Sequence, residues 1–63
     1  MTRYEIEGIT ARLENTIDLL ESDLGQAPEE WQREQLRADI NIYSAALEAI
    51  RYLAARVAEL EAT

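Results

Sequence analysis

Carboxylates are the only abundant groups in this chain that could do chemistry. Thirteen Asp and Glu stand against six basic residues, all arginine, for a formal charge of −7. Glu7, Glu14, Asp18 and Glu21 recur at seven-, four- and three-residue steps, which lines them up along one side of a helix. Such a row performs acid–base catalysis only where an apolar cleft shifts the proton affinity of some of its members. It holds a di-metal centre only where the acids point inward beside histidine. The chain has no histidine and no cysteine. That removes the commonest metal ligand, the usual general base near neutral pH and any thiol nucleophile. No catalytic residue, metal or cofactor is expected, and the chain reads as a non-enzymatic protein. The acidic row is then either a solvated face or a docking face for a basic protein surface, in the manner of nucleic-acid mimicry.

Arg33, Arg37 and Arg51 form the second candidate group, with Tyr52 beside them. Guanidinium forks match phosphate and carboxylate oxygens bidentately. Between subunits these residues would suit a small anionic ligand such as a nucleotide. Within one chain they would serve as surface ion pairs. The acidic balance is wrong for gripping a nucleic-acid backbone, which needs a basic face. A helix lying on a membrane likewise wants basic residues on its polar side, and no apolar run is long enough to cross one. The expected partners are therefore a copy of the chain itself and another protein, with neither nucleic-acid backbone nor membrane among them. A cytoplasmic location, with no leader segment, fits the absence of cysteine and of an apolar stretch near Met1.

Two helices must carry these groups, in a single domain over residues 1–63. The first spans about residues 2–24, where Ile6, Ile9, Leu13, Ile17, Leu20 and Leu24 fall in a stripe roughly 80° wide at about 100° per residue. Thr2 followed three residues later by Glu5 matches a capping box. Gly8 is a weak point inside this helix. Gly25-Gln26-Ala27 reads as the turn, with Gly25 in the left-handed position after a helix end. Pro28 is suited to the first turn of the next helix, followed by Glu29 and Glu30 where the helix dipole favours negative charge. Ion pairs are expected at Glu29–Arg33, Glu30–Arg33, Glu34–Arg37, Glu48–Arg51 and Arg56–Glu59.

The second helix, about residues 28–62, carries two apolar rows. One contains Leu36, Ile40, Tyr43, Leu47, Ile50, Ala54 and Val57. The other, rotated by roughly 100°, contains Trp31, Ala38, Ile42, Ala46, Ala49, Leu53 and Leu60. A hairpin needs only the first row. Folding the chain at its turn sets Ile6 against Leu47 and Ile17 against Leu36, so that Leu53, Val57 and Leu60 project past the first helix. Burying one such side chain is worth about 1.5–3 kcal/mol, and a chain this short is marginal alone. The expectation is an antiparallel helical hairpin that assembles into a homodimeric four-helix bundle or a higher oligomer. Its interface would be Trp31, Ile42, Ala46, Ala49, Leu53, Val57 and Leu60.

In length and hairpin layout the chain resembles the small plasmid copy-number regulators, which dimerise into four-helix bundles and bind RNA loops. The resemblance is one of architecture and implies a dimer, not a ligand. Short, acidic, cysteine-free chains are also the habit of phage-encoded inhibitors of host defence. Function is thus expected to be protein binding by a self-associating module, sharpened to inhibition by occlusion or mimicry. Sequestering a small anion, or serving as a structural assembly adaptor, are the other two readings.

Overall fold

The computed structural model describes residues 2–62; Met1 and Thr63 lie outside the described residues. Helix α1 runs Arg3–Gln26 and helix α2 runs Glu30–Ala62. They pack side by side as a hairpin with extents of 52 × 16 × 14 Å. Among the described residues there is no strand, and no helix is long and apolar enough to cross a membrane.

The start of α1 is the capping box its sequence predicts. The Glu5 N–H donates to Thr2 Oγ1 at 3.1 Å, and the Thr2 N–H donates back to Glu5 Oε1 at 3.4 Å. The other end differs from expectation. α1 continues two residues past Leu24, the connection is Ala27-Pro28-Glu29, and α2 begins at Glu30. Gly25 is helical and no glycine among the described residues has positive φ. Pro28 is the reason: its ring disfavours helical ψ in the residue before it, and Ala27 is extended at ψ 122°. The stop is imposed from the proline side, so no left-handed glycine is required. Glu29, rather than Pro28, opens α2. Its carbonyl accepts from the Arg33 N–H at 3.1 Å, while its own N–H donates to Gln32 Oε1 at 3.3 Å.

The register also differs. Arg3, Ile6 and Glu7 line one groove with Ala54, Val57 and Ala58, and at the turn end Asp23 and Gln26 share a groove with Leu36. Ile6 therefore lies about two turns further along α2 than Leu47. The first turn of α2 stands beyond the end of α1, which shifts every later pairing. As a result Val57 is flanked by α1 rather than projecting past it. Leu53 precedes it along α2, so its exposure comes from the side of the helix it occupies.

The seam is thin. Leu47 is the one buried residue among those described, at 8% exposure. Ile6, Leu13, Ile17, Leu20 and Leu24 of α1 and Leu36, Ile40, Ile50 and Ala54 of α2 are only half-buried. Thr10 and Thr16 fill out the α1 side, each hydroxyl donating to the carbonyl one turn back, Ile6 and Arg12, at 2.9 Å. Ile9 and Tyr43, members of the inward rows, stay partly open.

Both glycines lie inside α1 with open space where a Cβ would stand. Gly8→Ala and Gly25→Ala are each expected to raise unfolding stability by about 0.5–1 kcal/mol, because alanine loses less backbone entropy on becoming helical. Urea titration checks this. A loss of stability for Gly25→Ala would mean that the helix does end at that residue.

Candidate interaction surfaces

The interhelical ion pair between Glu14 and Arg51 fixes which flanks of the two helices adjoin. It places the acidic row of α1 beside the Arg33, Ser44 and Arg51 side of α2. Glu14, Ile17 and Asp18 line one groove with Ser44, Leu47, Glu48 and Arg51. Glu7 lies further along, with Arg3 and Ile6, and Glu21 continues the row toward the turn. All four acids are exposed. Glu14 is neutralised within the chain, which leaves Glu7, Asp18 and Glu21 as the open part of this flank.

The arginines are not gathered. Arg33 and Arg37 both hold Glu30, at 2.9 and 3.3 Å. Arg33 Nη1 also donates to the Ala27 carbonyl at 2.8 Å, satisfying an oxygen left over where α1 stops. Arg51 sits about 21 Å from Arg37 along the helix and is committed to Glu14 across the seam. Tyr52 is exposed on a different side from Arg51, one residue and about 100° on. Pairs expected at Glu30–Arg33 and Arg56–Glu59 are present, the latter at 2.8 Å. Those expected from Arg33, Arg37 and Arg51 to Glu29, Glu34 and Glu48 give way to Glu30 and Glu14. Arg33 also satisfies the Ala27 carbonyl at the end of α1, and Arg51 closes the seam through Glu14.

The two arginines lower the proton affinity of Glu30. The hydrogen bond from Arg33, then that from Arg37, holds its carboxyl below the ordinary value of 4.5. No described group of acids is arranged to hold a metal ion.

The opposite flank of α2 is apolar and open. Trp31 is 67% exposed, Ile42 65%, Leu53 60% and Leu60 67%, with exposed Ala38 and Ala49 between them and half-buried Ala46. Val57 borders the row at the seam, and Trp31 closes the turn end together with Pro28, Gln32 and Gln35. The residues expected at the interface thus lie along one side of α2, with exposed Gln35 between Trp31 and the others. Tyr4 is also exposed, on the outer side of α1, and exposed Leu19 lies on the same flank of α1 as Arg12 and Asp23. Comparison with protein-family models, curated proteins and solved structures gives no match to the chain.

A depressed carboxyl contributes stability that is present above its unfolded pKa and is lost as pH falls through its folded one. Replacing Glu30 by Gln should therefore remove part of the acid-induced loss of stability below about pH 4.5 and lower stability slightly at pH 7. Thermal melts at pH 7, 4 and 3 measure it; parallel pH profiles for the two proteins would show that the two arginines do not hold Glu30.

Proposed function

We propose that this protein is a non-enzymatic interaction module that self-associates through the open side of α2 and binds a second protein through its acidic flank. The observation that carries the first half is surface area. A compact monomer of 7.2 kDa exposes about 4,100 Å², whereas this chain exposes 5020 Å². The excess, about 900 Å², is close to what one partner contributes to a standard interface. Five large apolar side chains, Trp31, Ile42, Leu53, Val57 and Leu60, stay exposed on or beside the strip, and no disulfide supplements the seam. A second copy is the occupant that supplies a matching apolar strip with every molecule made, and it yields a four-helix bundle.

The acidic flank lies on the other side of the hairpin from the strip, so both surfaces work at once. A dimer presents Glu7, Asp18 and Glu21 twice, suited to a protein with a basic surface, including one whose own ligand is nucleic acid. Inhibition by occlusion is the sharper form of this reading.

Sedimentation at micromolar concentration is expected to give twice the chain mass. Leu53→Glu, a charge in the middle of the strip, is expected to give a monomer with less helix. A stable, fully helical wild-type monomer would end the self-association reading. For the second surface, Asp18→Arg with Glu21→Arg leaves the Glu14–Arg51 pair in place. That double substitution is expected to abolish co-purification of a basic partner that the wild type retains, and undiminished binding would remove the acidic flank from the mechanism.

A further inference from the structure

The exposed strip of α2 is complementary to itself when run in reverse. We infer that the second copy seats on it antiparallel, about a two-fold axis passing between Ala45 and Ala46. The inference rests on the self-association proposed above and adds its geometry. Trp31 and Leu60, Ala38 and Leu53, and Ile42 and Ala49 are three pairs whose midpoints coincide between residues 45 and 46. In this arrangement Ile42 lies over Ala49 and Leu53 over Ala38 of the other copy, Trp31 meets Leu60 at each end, and alanines meet at the axis. Along the middle of the strip Ile42 and Leu53 are each received by an alanine, the large-on-small pattern that fills a helix–helix interface without voids or clashes, and Trp31 packs against Leu60 only at the two ends. A two-fold axis repeats every contact, so one strip serves as both halves of the interface.

Charge follows the same register. Glu34 and Arg56 stand on one edge of the strip, within about 40° of each other around the helix, and the axis brings Glu34 of one copy beside Arg56 of the other. Glu34 has no ion-pair partner among the described residues, and Arg56 holds only Glu59 in an exposed pair. The flank of α1 on this side carries exposed Glu5, Arg12 and Asp23 around a single large apolar side chain, Leu19, so α2 bears most of the contact. The competing arrangements fit worse. A parallel pair stacks each residue on its own copy, tryptophan on tryptophan and alanine on alanine, giving crowded and hollow layers in turn. A slip of one turn sets Ile42 against Leu53 and leaves Trp31 beyond the helical end at Ala62.

The chain has no cysteine, so introduced thiols report the register directly, a disulfide requiring Cα atoms within about 7 Å. In a glutathione redox buffer, Ala38→Cys mixed with Leu53→Cys, and Ile42→Cys mixed with Ala49→Cys, are expected to give covalent dimers containing one chain of each kind. None of the four should cross-link with itself. Glu34→Arg is expected to raise the dimer dissociation constant about fivefold, as is Arg56→Glu, and the two together in one chain should restore it. Circular dichroism on each variant confirms that the helices persist. Cross-linking of Leu53→Cys with itself, preferential linking of Ile42→Cys to Leu53→Cys, or no mixed cross-link in a protein that sediments as a dimer would each overturn this geometry while leaving self-association intact. A monomer by sedimentation would instead end the reading on which it rests.

Discussion

Everything in this molecule hangs on one seam between two helices. α1 and α2 have only each other, and an antiparallel pair can enclose a side chain fully only near its middle. Leu47 occupies that place, and the neighbouring rows are capped on one side and open on the other. Two long helices have strong local propensity, since α2 has no glycine or proline within it and is rich in alanine, leucine, glutamate and arginine. Yet helices in water draw most of their stability from packing an apolar face. The seam leaves Trp31, Ile42, Leu53 and Leu60 of α2 exposed. What remains is laid out as a second face with its own order of large and small residues.

The ends of the hairpin are closed by polar contacts rather than by core. Thr2 and Glu5 satisfy the start of α1. At the turn a single arginine does several things: Arg33 binds the Ala27 carbonyl and Glu30, and Arg37 reaches the same carboxylate. This ties the stop of α1 to the first turn of α2, and so sets the angle and offset at which the two helices meet. At the far side of Leu47 the Glu14–Arg51 pair does the equivalent work across the seam. Exposed pairs like these are screened by solvent and contribute little energy. Their importance is geometric, because the Glu14–Arg51 pair fixes which flanks of the two helices adjoin and leaves the strip of α2 on the other side.

That division explains how so small a chain could serve two surfaces. Acids and arginines cancel along one flank until Asp18, Glu21 and Glu7 are left over; alanines and large aliphatics run along the other. Self-association through the apolar strip would double the acidic flank and give each copy the burial a lone hairpin lacks. In such a dimer Glu7, Asp18 and Glu21 would face away from the contact, which would limit the repulsion between two chains of −7.

The sequence by itself determined the two helices, the capping box at Thr2 and Glu5, the place of the turn to within two residues, and the existence of two apolar rows on α2. These follow from periodicity and local chemistry, which act over a few residues and need no partner. It also identified which row would be left open, since the hairpin can use only one. Only the tertiary structure decided the register, the conformation of Gly25 and the true ion-pair partners of Arg37 and Arg51. The register and the Glu14–Arg51 pair depend on how the chain re-enters α2 after Pro28, whereas Arg37 reaches two turns back within α2 to Glu30. A shift of two turns along a helix leaves the pattern of apolar residues nearly unchanged while moving every facing pair, so periodicity cannot choose between offsets. The cross-helix pair of Glu14 with Arg51 lies thirty-seven residues apart in sequence, and nothing local distinguishes it from the one-turn pairs it displaced.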